Sequence, residues 1–274
     1  MKTIRQAHGK IGIFDSGLGG LLIARAIRKA MPEYDYVYLG DTKRVPYGNR
    51  SHEAVFEFTC EAVEYLFKKE DCAIVVIACN TASARALRRI QQEYLPRNFP
   101  DRKVIGVLIP GAEECAKFEK VGVIATKGTI SSNTFPSEIN KINIKAKVFQ
   151  NSAPMLVPLA EEGEVENAKV FLKKYLKPLL DKKVEAIMLG CTHYPIFKKN
   201  IQKIVGKKIK VISQDEIIPK KLKEYLKRHS EISTQLSKGK TAKILVTDMT
   251  DSMVKLSEKW FGKDAKPEVI FLNK

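Results

Sequence analysis

Two cysteines occupy matched settings in this 274-residue chain. Residues 73–78 run apolar into Cys79-Asn80-Thr81, and residues 185–190 run largely apolar into Cys191-Thr192-His193. Each stretch reads as a short buried strand that delivers a thiol beside amide or hydroxyl groups. That C-terminal end is the edge at which parallel α/β sheets hold their ligands. A free thiol is only a few per cent ionised at neutral pH. His193, two residues from Cys191, is placed to raise the thiolate fraction there or to exchange a proton. Two such groups facing one carbon from opposite sides would invert its configuration, one removing a proton and the other supplying one. Either segment alone would pass for a buried core cysteine, but the matched pair favours chemistry.

Other segments could serve the same site. Asp15-Ser16-Gly17-Leu18-Gly19-Gly20 follows a strand and opens a helix, so its backbone N–H groups can approach an anionic ligand. It is neither GxGxxG nor a Walker loop, and an ordinary capped βα turn would look the same. Gly40-Asp41 and Pro46-Tyr47-Gly48-Asn49 flank a loop at the same sheet edge. Thr126 and Thr129 follow another strand and offer hydroxyls to a carboxylate. Glu161-Glu162-Gly163 is an acidic pair expected just before a helix, where negative charge offsets the helix dipole.

The elements that must position these residues alternate as in βαβ units. Expected strands cover 11–14, 36–39, 73–78, 104–107, 121–124, 145–149, 185–190, 210–212 and 243–246. Expected helices cover 20–30, 51–69 with Ser51 as N-cap, 83–94, 113–117 and 164–180. Residues 96–102 read as a linker and 213–219 as a return crossing. The fold class this implies is α/β, with two pseudo-symmetric doubly wound domains and the site in the cleft between them. The first would comprise residues 1–103 plus about 214–274 and carry Cys79. The second, about 104–213, would carry Cys191.

Composition narrows the classes. No apolar run is long enough for a helix to span a bilayer, so neither an integral membrane protein nor a membrane partner is expected. Residues 1–10 are basic without an apolar core, so the expected address is the cytoplasm. Five scattered cysteines with no CxxC argue against a disulfide framework or a zinc ribbon. Cys60, Cys72 and Cys115 read as small buried hydrophobes. The net charge of +17 is densest over residues 198–240 and reads mostly as solvated helix faces. Nucleic acid is not a required partner, and polyanion attraction would be incidental to the charge.

Taken together, the turn 15–20, the loop 40–48, Cys79-Asn80-Thr81, the Thr126 and Thr129 segment, 157–163, and Gly190-Cys191-Thr192-His193-Tyr194-Pro195 resemble the glutamate racemases. These belong to the cofactor-independent amino-acid racemases. The resemblance implies that Cys79 and Cys191 are the two acid/base groups, with Cys191 the base toward L-glutamate and Cys79 toward D-glutamate. It assigns Asp15 to assist Cys79, and His193 and Glu161 to assist Cys191. It places Asp15, Ser16, Pro46, Tyr47, Gly48, Asn80, Thr81, Thr126, Thr129 and Thr192 around the substrate. No cofactor and no metal are implied. It further implies a homodimer and a role in supplying D-glutamate for peptidoglycan. Ala153 stands where the family often has a further cysteine, and the segment from Ser213 matches less well. A sister racemase for aspartate or another amino acid, a basic polyanion-binding protein on the same scaffold, and a thiol hydrolase using Cys191 and His193 are the rival readings.

Overall fold

The structure is a computed structural model, and it describes residues 8–263 and 265–272. Most of the N-terminal segment read as leaderless therefore lies outside the described residues.

Among the described residues, ten strands form two wholly parallel sheets. The first sheet contains β1 (Lys10–Asp15), β2 (Tyr36–Gly40), β3 (Cys72–Ile77) and β4 (Lys103–Gly106). It is completed by β9 (Ala242–Val246) and β10 (Pro267–Val269), in the order β10-β9-β2-β1-β3-β4. The second contains β5 (Lys120–Ala125), β6 (Lys147–Ser152), β7 (Ala186–Gly190) and β8 (Lys210–Ile212), in the order β6-β5-β7-β8. The order 2-1-3-4 thus occurs twice. β3 and β7 hold equivalent places, and so do the cysteines that follow them. In each sheet the strand order reverses beside the first strand, and that reversal opens the crevice in which open α/β sheets bind ligands.

Both faces of each sheet are covered. Helices Gly20–Ala30, Gln214–Arg228 and Asp251–Phe261 bury Ile23, Ile27, Leu222 and Trp260 against one face of the first sheet. Helix His52–Lys68 covers the other with Val55, Val63 and Leu66. Its Ser51 hydroxyl caps the Ala54 N–H (3.2 Å), as the serine before an apolar period predicts. Helices Ala168–Leu180 and Lys198–Val205 cover one face of the second sheet, and Leu108–Cys115 and Thr134–Ile142 the other.

Several expected boundaries move. The helix expected at 83 begins at Asn80, because the Cys79 sulfur accepts from the Ala82 N–H and starts the turn three residues earlier. It then breaks into short segments with a π-helical turn over Ile90–Tyr94. The helix expected from 164 begins at Ala168. Glu161 ends helix Leu156–Glu161 rather than preceding one, so the dipole-offsetting role expected of the acidic pair does not hold. The expected linker contains a helical turn, Leu95–Asn98, and leads into β4, which pairs with β3. The chain therefore leaves the first sheet only after Gly106. The return crossing at 213–219 is occupied by the start of helix Gln214–Arg228, and β10 was not expected.

Candidate active site

Every expected site residue except Glu161 lies at or just beyond the C-terminal edge of a strand. Asp15 ends β1, Cys79 follows β3, Thr126 follows β5, and Cys191 follows β7. Cys79 and Cys191 are both buried, each residue 6% exposed.

On the first sheet, the Cys79 thiol donates to Ser16 Oγ (3.4 Å). Asp15 Oδ2 accepts from the Gly17 and Gly20 N–H groups (3.2 and 3.1 Å), which fixes the glycine turn. Asp15 Oδ1 is buried with no hydrogen-bond partner among the described residues. Burial holds the Asp15 carboxyl above its ordinary pKa, although His193 and the surrounding N–H groups pull the other way. Burial, reinforced by the Asp15 charge, pushes the Cys79 thiol up to about 12.

On the second sheet, His193 stands between two acceptors. Its Nδ1 lies 3.7 Å from Cys191 Sγ and 3.5 Å from Thr192 Oγ1, and its Nε2 lies 3.0 Å from Glu161 Oε1. Burial disfavours the imidazolium, but the Cys191 and Glu161 contacts outweigh it and raise the His193 pKa to about 10. The Trp260 ring meets the imidazole edge-on at 5.5 Å. Glu161 reaches this site from its helix end with about half of its side chain in solvent.

The two halves touch at several places. A Cβ on Gly19 would sit 2.5 Å from Thr192 Oγ1 and 2.6 Å from His193 Nδ1, so the first glycine turn rests directly on the second cysteine's segment. Thr81 Oγ1 lies 2.9 Å from Thr126 Oγ1 and 3.2 Å from Thr129 Oγ1, a hydroxyl cluster shared between the sheets. Arg85 donates to the Gly128 carbonyl (3.1 Å), to Ser131 Oγ (2.9 Å) and to the Arg50 carbonyl. Gly48 lies against Thr126, since a Cβ there would come within 3.0 Å of it.

Two expected ligand groups are turned elsewhere. The Tyr47 hydroxyl donates to Asp41 Oδ2 (2.5 Å), which also receives Arg44 Nε (2.6 Å), while Thr247 donates to Asp41 Oδ1 (2.9 Å). The Tyr47 hydroxyl is therefore engaged by Asp41, and the preceding Val45-Pro46 peptide bond is cis. The Asn80 amide exchanges two hydrogen bonds with Gln214 (2.7 and 2.8 Å). Sequence reasoning missed Gln214, Arg85, Thr247 and Trp260. The first two are polar residues in helices, and nothing local marks their distant partners. A cavity of about 490 Å³ lies away from the thiols, between Leu87, Arg88, Ile109 and Tyr225, and shares none of these groups.

Two matched parallel α/β sheets, each with a buried cysteine just past the equivalent strand, define the class of protein to which this chain belongs. A model of the Asp/Glu/hydantoin racemase family matches residues 22–217, and the chain belongs to that family. It is 38% identical over 257 residues to a glutamate racemase of Geobacter metallireducens, covering 92% of each chain. It is 37% identical to that of Aquifex aeolicus, over 95% of this chain and 97% of the other. Among solved structures, it matches glutamate racemase from Francisella tularensis in complex with D-glutamate at a TM-score of 0.88. Identity there is 32%, covering 97% and 99% of the two chains. An aspartate racemase from Picrophilus torridus shares the fold at a TM-score of 0.53 and 19% identity.

Proposed function

We propose that the protein interconverts L- and D-glutamate by a two-thiol mechanism, with Cys79 and Cys191 as the paired acid and base. The observation that carries this reading is the equivalence of β3 and β7, which puts one buried thiol at the same point of each sheet. The Cys79 thiol, with its raised pKa, holds a proton to give. His193, protonated between Cys191 and Glu161, holds the charge that a thiolate at Cys191 needs. In the L-to-D direction Cys191 takes the α-proton and Cys79 delivers its own to the opposite face; the reverse direction exchanges the roles.

Asp15 Oδ1, buried and unpartnered, suits the substrate ammonium. The Thr81, Thr126, Thr129 and Thr192 hydroxyls, Ser16, and the backbone of Pro46, Tyr47, Gly48 and Asn80 suit its carboxylates. An α-proton beside a carboxylate is weakly acidic, and fixed donors in a water-free site are what stabilise the enolate-like charge. The closed thiols require the two halves to separate for substrate to enter. We take residues up to Gly106 together with those from about 214 as one domain and the intervening segment as the other. Supply of D-glutamate for peptidoglycan, a cytoplasmic address and a homodimer belong to the same proposal by family resemblance. The higher identity and coverage of the glutamate enzymes favour glutamate over aspartate.

The test is α-proton exchange by NMR on the purified protein with L-glutamate in deuterated water, with D-glutamate scored by chiral chromatography. Deuterium at Cα with D-glutamate appearing is the expected result. Exchange with aspartate and none with glutamate would replace the substrate, and exchange with neither would overturn the racemase reading.

A further inference from the structure

The edge of the second sheet remote from the thiols carries groups that the reaction leaves unused. Its strands are parallel, so all four enter from this edge. Lys120, Lys147 and Lys210 are the first residues of β5, β6 and β8, and Lys120 and Lys147 are register partners. The fourth strand, β7, pairs Ala186 with Lys210 and is entered through Lys182-Lys183. Lys145, Lys207 and Lys208 add exposed charge in the entering loops. Among the described residues, Lys145, Lys147, Lys207 and Lys208 have no ion-pair partner. Of the nearby acids, Glu185 receives the Glu119 and Lys120 N–H groups (2.8 and 3.1 Å), and Asp181 is held by Lys177.

Amid these lysines, in the run Lys141-Ile142-Asn143-Ile144-Lys145, stand two bare aliphatic side chains: Ile142 is 58% exposed and Ile144 is 86% exposed. Isolated exposed apolar residues are ordinary, but a pair next in sequence to the unpaired Lys145 and Lys147, on a sheet edge lined with lysines, has a specific physical use.

We propose that this edge docks on the surface of an anionic phospholipid bilayer, with the two isoleucines among the headgroups and the lysines over lipid phosphates. A peripheral contact of this kind needs no spanning helix, and no described helix is long and apolar enough to be one. The chemistry favours lipid over nucleic acid. No arginine lies between Arg102 and Arg228, so the bidentate fork that reads bases is missing, and exposed isoleucines gain nothing on a phosphate backbone. The thiol-bearing edge of this sheet is the opposite one and would face away from the membrane.

The test is co-sedimentation of the full chain with vesicles of phosphatidylcholine alone and of phosphatidylcholine mixed with phosphatidylglycerol, at about 0.1 M salt. Binding only to the anionic vesicles is expected. Each charge removed among Lys145, Lys147, Lys207 and Lys208 should weaken partitioning about fivefold. The double variant Ile142→Asn/Ile144→Asn should weaken it severalfold, with racemisation unchanged in both series as the check on folding. Absence of binding to anionic vesicles would overturn the proposal. So would binding that the isoleucine variant leaves intact and that duplex DNA matches at the same salt, since this would reduce the edge to a general polyanion surface.

Discussion

At Cys79, burial and the Asp15 carboxylate both oppose ionisation, whereas at His193 burial opposes a charge that Cys191 and Glu161 hold in place. The two equivalent strand ends thus differ in their charged neighbours, a carboxylate beside Cys79 and an imidazole beside Cys191. Removing either thiol should stop racemisation. Cys79→Ala and Cys191→Ala are each expected to lower turnover by about 10²–10⁴-fold, the usual share of a positioned acid or base. Substantial turnover by either single variant would sink the two-thiol mechanism. The His193 shift also has a stability consequence. A pKa raised from its ordinary value near 6.5 to about 10 contributes stability that is complete below about 6.5 and lost as pH rises through about 10. His193→Asn should therefore lower Tm most near pH 6, with the difference from the parent protein shrinking toward pH 10. A constant difference across that range would show that the imidazolium is not held by its neighbours.

Among the elements, the turn between β1 and helix Gly20–Ala30 is the most constrained. Asp15 receives two of its N–H groups, and Gly19 meets Thr192 and His193 with no room for a methyl group. Gly19→Ala should fold, because Gly19 already has helical backbone angles, yet it must push the second cysteine's segment away. A displacement of about 1 Å is enough to cost about 10²-fold in kcat/KM. Unaltered kcat/KM would mean that this contact loosens during turnover. The loop after β2 is held differently, with Asp41 gathering Arg44, Tyr47 and Thr247, so the residue that follows β9 supports this loop. The strands and the two longest early helices were legible because their apolar periods are regular and Ser51 caps the second. The later helices were less so: 198–205 and 214–228 are so rich in lysine that their narrow apolar stripes read as solvated charge.

Across the whole molecule, the two crossings between sheets meet at one buried knot. Gln214, at the return crossing, bonds both the Asn80 amide and the Val107 carbonyl just past the outward crossing (3.1 Å for the latter). If the two halves move relative to one another during turnover, this junction is expected to act as their pivot. Gln214→Leu leaves the buried Asn80 amide unsatisfied and should destabilise the protein by about 1–3 kcal/mol in denaturant titrations. It should also raise KM more than it lowers kcat. An unchanged KM would place the pivot elsewhere.

The sequence by itself determined the two cysteine-bearing strands, the glycine turn, the hydroxyl segments and the alternation that makes an α/β protein. Each of these is local, carried by apolar runs and turn residues that act within a few positions. Tertiary structure alone decided that the strand order repeats and that Gly19 abuts Thr192. It also decided that Tyr47 and Asn80 spend their side chains on Asp41 and Gln214, and that Glu161 reaches His193 from a helix end. Those pairings join residues up to 206 positions apart, as Thr247 does with Asp41. They arise only once the chain is packed, because a side chain's hydrogen-bond partner is set by which strand ends and helices meet in space rather than by its sequence neighbours.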